Sequence, residues 1–460
     1  MLETGLYLFL ILAAYFFLFF FYSSIMVRAH WFLAAIPLAC VFTGFPFGGL
    51  GGASPEKTYV LLLLPGLLYL VFFKQGLSQS RRGGIPRTIT FTFLLFWLIL
   101  LAAQSVNAGG VPSFSTLSYL LGLLGKGLLV FFIVRIIDRK SMLDLCIKSI
   151  IVSTVAIQIL AFTEILISGD FFVLRNNAYN LNLAVSNLTT LPDPTLMARN
   201  LVVVFNFAVF GAFYFRKTPF FKWLSIIQIV GSAMLILASL SRTGLITFLM
   251  EVFIILFFRK EEILKNLSFS FTAVISTVVL IGVFFWSKLT ERFINMWKLL
   301  SSPMEARSFM GISLRMKSWM AGIGIIVDHP FFGVKMDDLE QILTKYGSIS
   351  LTGPEQMLRV HSTQGSILKF MVKGGVFAGM TFLLLACFYM KFLVNRLRQT
   401  RNDTHKLFIQ TAIAQAVATL VFSFSTDAYF LNIFWFSAGI IFAGDIIFSN
   451  HMEDKKAVKI

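Results

Sequence analysis

The chain has 460 residues, of which 57% are hydrophobic and only 13% charged, and its mean hydropathy is +0.82. A soluble protein keeps about a quarter of its residues charged, so a soluble enzyme is excluded. The net charge of +17 would point to nucleic acid in a soluble protein, but here the basic residues gather in short loops between apolar runs, which is the positive-inside pattern of a membrane protein with no nucleic-acid partner.

Apolar stretches of spanning length predict an all-α polytopic protein, since a membrane barrel would alternate over short strands. Taken in chain order, the spans fall near 6–27, 31–49, 58–73, 88–106, 116–137, 144–168, 196–215, 220–240, 243–258, 267–286, 365–394, 406–425 and 429–448. At twenty-odd residues each this is about thirteen transmembrane helices, or about twelve if the Gly- and Phe-broken stretch Thr43–Gly49 makes the second and third into one span plus a re-entrant piece. The side of the N-terminus stays open with that count. The first run, Leu6 to Val27, has no basic flank or small-residue cleavage site and is expected to be retained. Cys40, Cys146 and Cys387 each fall within an apolar run, which argues against a disulfide framework or a metal site.

The loops give an orientation. Basic clusters at Lys74 to Arg87, Arg135 to Lys140, Arg216 to Lys222, Arg259 to Lys265, Arg396 to Lys406 and Lys455 to Lys459 all fall on one side when the spans alternate, and that side is expected to be cytoplasmic. The opposite side carries one long loop. The expected organisation is therefore transmembrane helices over 1–286, an extracytoplasmic loop over 287–364, further transmembrane helices over 365–448 and a cytoplasmic tail over 449–460. Within the loop, Leu314, Trp319, Ile323 and Ile326 share a helical face, and the stretch ends at Asp328-His329-Pro330, where proline stops a helix. A folded cap with short helices is expected there.

Three residues stand out on the outer side. Arg242, in Ser241-Arg242-Thr243-Gly244, lies at a membrane boundary in the first turn of a helix whose N–H groups and dipole favour an anion; an isolated arginine there could also be a snorkelling anchor. Arg315 lies at the expected start of the loop helix, with Ser313 or Ser308 available as N-cap. His361 precedes Ser362-Thr363, which can cap the next span. Such a cluster suits a diphosphate, because arginine forks pair with phosphate oxygens and helix ends add donors.

These pieces resemble the O-antigen ligase and O-antigen polymerase family. The resemblance rests on Ser241-Arg242-Thr243-Gly244 after a span, on Arg315…Trp319…His329-Pro330-Phe331-Phe332-Gly333-Val334, and on His361 followed by Lys373-Gly374-Gly375-Val376 opening the next helix. It covers roughly residues 120–390. One departure is Ser362, where asparagine is common. The resemblance implies transfer of a glycan from an undecaprenyl-diphosphate carrier to an acceptor hydroxyl at the outer face of the bacterial inner membrane, with Arg242, Arg315 and His361 as functional positions. It implies a donor lipid-linked glycan and an acceptor that is either a second glycan or lipid A-core, and with the first a chain-length regulator as partner.

Chemistry supports the same assignment. A glycosyl diphosphate is a good leaving group once its charge is neutralised, which arginines do without a metal or other cofactor, and the acceptor side shows no Asp-x-Asp; Asp337-Asp338 reads as a solvated loop edge. His361 is the candidate base for the acceptor hydroxyl. Among deeper charges, Lys126 lies mid-span at a cost of roughly 2.5–3.5 kcal/mol and either pairs with Glu251 or reaches the diphosphate. Arg175 and Arg199 flank the second outer loop and could contact phosphate or sugar. Repeat-unit polymerisation is slightly favoured over ligation to lipid A-core. A lipid-linked sugar flippase would instead set its charges along a midplane cavity between paired broken helices.

Overall fold

The computed structural model describes residues 84–168, 194–239, 241–265, 310–347, 365–425 and 432–457. The described residues form helices only. They are α1 (Arg87–Asn107), α2 (Phe114–Ile136), α3 (Lys140–Ser168), α4 (Pro194–Tyr214), α5 (Pro219–Ala238), α6 (Arg242–Lys265), α7 (Met310–Asp328), α8 (Leu339–Gly347), α9 (Ser366–Gln399), α10 (Asp403–Ser425) and α11 (Asn432–Ala457). Seven of these contain stretches long and apolar enough to cross a membrane: α1 to α5, α9 and α10. Each matches a span expected from hydropathy. The expected spans near 6–27, 31–49, 58–73 and 267–286 lie outside the described residues.

α1 lies along α9, α2 along α11, α4 between α5 and α10, and α6 against α10. Small residues let the backbones close up, as expected where lipid removes any hydrophobic gain from helix association. A methyl group at Gly439 of α11 would fall 2.7 Å from Ile133 Cβ of α2, for example. Polar side chains then tie helices across the apolar interior. Gln158 Nε2 of α3 donates to the Gln228 carbonyl and to Ser232 Oγ of α5, both at 2.9 Å, and Gln415 Nε2 of α10 donates to the Val203 carbonyl of α4 at 3.0 Å. Cys146 and Cys387 are free thiols.

Contacts among aromatic and basic side chains collect the basic residues at one end of the bundle. Lys140 lies over the Tyr214 ring, Lys148 over Phe215 and Phe221, and Arg216 and Arg259 both over Phe213. At the same end Asp445 of α11, 1% exposed, takes Arg396 Nε at 2.9 Å and His405 Nε2 at 3.0 Å, joining α9, α10 and α11. Replacing Asp445 by alanine should leave both partners without their acceptor and destabilise the fold by about 3–5 kcal/mol. A thermal melt of the detergent-solubilised protein checks this; an unchanged midpoint would show that water takes over both partners.

Candidate functional site

The end opposite the basic residues gathers the starts of α2, α4, α6 and α9 with the ends of α1 and α10. Ser241 caps α6: its Oγ accepts the Gly244 N–H at 3.2 Å and its carbonyl the Leu245 N–H at 2.8 Å. Arg242 is therefore the first helical residue, as the Ser-Arg-Thr-Gly turn predicts. Gly244 follows because α4 lies against this turn; a methyl group there would sit 2.8 Å from Ala198 Cβ. Ala198, the residue before Arg199 in α4, therefore touches the start of α6. Two of the expected arginines are thus brought to neighbouring helix turns, and the N-terminal dipoles of α4 and α6 add positive field at the same place.

Of the two caps expected before Arg315, Ser313 lies inside α7 and does not cap it, and Ser308 lies outside the described residues; Arg315 itself is a residue of α7. The helix does end at Asp328, before Pro330. Its buried face includes Ser318, Ala321 and Ile325, whereas Trp319 and Ile323, from the face that the spacing singles out, are exposed. Small residues make the close face, and the large apolar ones point away from the bundle. Ile325 and Ala321 pack with Leu343 of α8 and with Val334 and Val372, so α7 and α8 form one unit seated on α9. Tyr346 Oη of α8 closes it by donating to Asp328 Oδ2.

The way that unit is seated joins the two sequence pieces that carry the family resemblance. The Gly374-Gly375 pair does not open a helix, as its position in the sequence suggests; it breaks α9, which already runs from Ser366, and Gly375 has φ +74°. At the break the Val376 N–H turns to the Pro330 carbonyl at 2.8 Å, and the Val372 carbonyl, which it would have met in an unbroken helix, takes the Val334 N–H at 2.8 Å. Neither Gly333 (φ +62°) nor Gly375 has room for a side chain, since a Cβ would fall on the Val372 carbonyl in the first case and on the Phe331 carbonyl in the second. From α1, Gln104 binds Val334, Met336 and Lys373, and Asn107 Nδ2 donates to the Phe332 carbonyl at 3.0 Å. From the start of α2, Ser113 and Ser115 donate to Asp337 Oδ1 at 2.8 and 2.6 Å, and Thr116 Oγ1 at 3.3 Å. Asp337 is therefore a tether and not a free loop edge. Lys373, 7% exposed, lies with Nζ 3.8 Å from the centre of the Tyr119 ring.

The remaining expected residues divide. His361 and Arg175 lie outside the described residues. Lys126 is buried in the middle of α2, roughly 18 Å along the helix from its start at Phe114, which is too deep to join the arginines at the helix starts. It does not hydrogen-bond Glu251, whose two carboxylate oxygens are buried with no hydrogen-bond partner among the described residues. Sequence reasoning missed Gln104, Asn107 and the Ser113–Ser115 turn, because polar residues at a span end read as ordinary interfacial groups. The signal was a buried-length apolar run ending in two amide side chains three residues apart.

Two outcomes test this seating. Gly375→Ala should cost about 1–3 kcal/mol for the backbone conformation alone and raise hydrogen exchange at the Val334 and Val376 amides; Gly122→Ala in α2, where a methyl group meets nothing within 4 Å, should do neither. The Ser115 and Ser113 hydroxyls hold the Asp337 carboxyl below its usual pKa of 3.8. Its contribution is thus fully present above that value and is lost as pH falls below it. Exchange in 330–338, corrected for the intrinsic pH dependence of amide exchange, should stay flat from neutral pH down to about 4 and rise only below; Asp337→Asn should raise it already at neutral pH.

Against known proteins, residues 227–383 match the family model described as O-Antigen ligase. No curated protein matches the chain. The matched stretch includes the capped turn at Arg242, the α7–α8 unit and the broken start of α9, whereas α1, α2 and α4, which meet them at this end, lie before it.

Proposed function

We propose that this membrane protein transfers a glycan from an undecaprenyl-diphosphate-linked donor to an acceptor hydroxyl at the outer face of the bacterial inner membrane, and that the product is a growing O-antigen or other surface polysaccharide. The observation that carries the reading is the capped helix start at Arg242, whose turn packs through Gly244 on Ala198 near the start of α4 and lies inside the matched family stretch. Two guanidinium groups and two helix N-termini at one membrane end favour a ligand with several negative charges.

In this mechanism Arg242 and Arg315 hold the diphosphate by forked hydrogen bonds and neutralise the charge that builds on it as the anomeric bond breaks. Arg199 and Arg175 line the approach of phosphate or sugar. His361 takes the proton of the acceptor hydroxyl, and that oxygen displaces the diphosphate from the anomeric carbon with inversion. No metal is required, because the arginines supply the positive charge. Lys126 has no part in this scheme, given its depth. A chain-length regulator is the expected partner of a polymerase.

Ligation to lipid A-core is the second reading, favoured by the description of the matched family. Donor chemistry is common to both, so acceptor choice separates them. Purified protein incubated with lipid-linked oligosaccharide should build a ladder on the carrier; transfer to added lipid A-core with no ladder would establish the ligase, and neither product would refute transfer. Arg242→Ala and Arg315→Ala should abolish the product with expression and folding retained, and lysine should restore it only in part. His361→Ala should lose about 100-fold or more while binding the donor as before. Wild-type yield from Arg242→Ala would reduce that residue to an anchor.

A further inference from the structure

One buried side chain at the junction of α1, α7 and α9 is not used by the proposed chemistry. Gln104 is 1% exposed. Its Nε2 donates to the Val334 carbonyl at 2.9 Å and to the Lys373 carbonyl at 2.6 Å, and its Oε1 accepts the Met336 N–H at 2.9 Å. Both amide hydrogens and the amide oxygen are thereby engaged. The partners come from two separate pieces of chain: the segment that leaves α7, and the last turn of α9 before its break.

The geometry points to Gln104 as a positioning residue: its amide locks the segment after α7 to the break in α9 in a single register, and so sets where α7, which bears Arg315, stands relative to the start of α6. The physical reason lies in the planarity of the amide. Its two hydrogens diverge from one nitrogen, so both bonds form only when the Val334 and Lys373 carbonyls flank that nitrogen together. The two direct backbone bonds between the segments, Val334 to Val372 and Val376 to Pro330, join the pieces at two points, and the Asn107 and Asp337 bonds hold only the segment after α7. Gln104 bonds both pieces at once from a third helix. α7 carries Arg315, so a tilt about this junction displaces that residue relative to the start of α6. The consequence for catalysis rests on the transfer reading above; the consequence for geometry does not.

The test uses the full-length protein and two variants. Gln104→Met keeps the side-chain volume and removes all three bonds. Gln104→Asn keeps the amide but draws it back by one methylene, so it cannot reach every partner at once. The first measurement is independent of activity. With the native cysteines replaced, spin labels at Val111 and Gln341, one beside the end of α1 and one on α8, should give a narrow distance distribution in the wild type and a broader or shifted one in both variants. The second is transfer from the lipid-linked oligosaccharide. A misplacement of the order of 1 Å should lower kcat by about 100-fold in Gln104→Met, with Gln104→Asn between it and the wild type. Donor KM should rise as well, by less than kcat falls, because Arg315 is displaced while the start of α6 is untouched.

Unchanged distances in both folded variants would overturn the proposal, and so would wild-type kcat or a loss confined to donor KM. Failure of both variants to fold would make Gln104 a structural residue and overturn it equally. If the wild type itself transfers no glycan, the transfer reading fails, and the distance distributions alone decide the role of Gln104.

Discussion

A backbone polar group cannot be left unpaired where water is scarce, and the break in α9 is organised by that requirement. Opening a helix at Gly375 frees carbonyls on one side and an N–H on the other, each worth several kcal/mol if stranded in hydrocarbon (of order 2–7). The segment after α7 takes up the Val372 carbonyl and the Val376 N–H, and Gln104 takes up the Lys373 carbonyl. Because the freed groups lie at fixed points on α9, they dictate where Pro330, Val334 and Met336 must run. The seating of α7 and α8 follows, since Val334 then joins Val372 in the apolar contact that holds Ala321, Ile325 and Leu343.

The same end of the bundle shows why small residues matter near charge. An arginine at a helix start is held in place only as well as the turn that carries it. At α6 the fixing is done by Ser241, which caps the turn, and by Gly244, which admits Ala198. The close contact brings a second helix N-terminus alongside and concentrates positive field without further side chains. At the other end the charges are handled in the opposite way. Lys148, Arg216 and Arg259 rest on aromatic faces, and Arg396 and His405 share Asp445. Those arrangements anchor the bundle and leave little charge directed at a ligand.

Glu251 fits neither arrangement. It is wholly buried on the face of α6 that packs on α4 and α10, with no hydrogen bond to either carboxylate oxygen among the described residues. The expected pairing with Lys126 does not explain it, because Lys126 belongs to α2, which packs on α1 and α11. The position of the carboxyl has no physical account in the contacts around it.

Hydropathy alone determined the all-helical membrane class, the position of each described span and the end of α7 at Asp328, because a spanning helix must be apolar for about twenty residues and proline must stop one. The capped turn that places Arg242 at a helix start was equally legible, since Ser-Arg-Thr-Gly carries its own local hydrogen bonding. What the sequence could not decide was anything set by contacts between distant segments. Lys373-Gly374-Gly375-Val376 reads as a helix opening, and only the arrival of Pro330 to Val334 makes it a break inside one. Trp319 and Ile323 share a helical face by periodicity, yet α7 buries Ser318, Ala321 and Ile325 instead, because the partners that arrive from α8 and α9 decide which face is covered. Gln104 is 230 residues from Val334 and 269 from Lys373; no local pattern marks such a residue, and its role exists only once three helices have met.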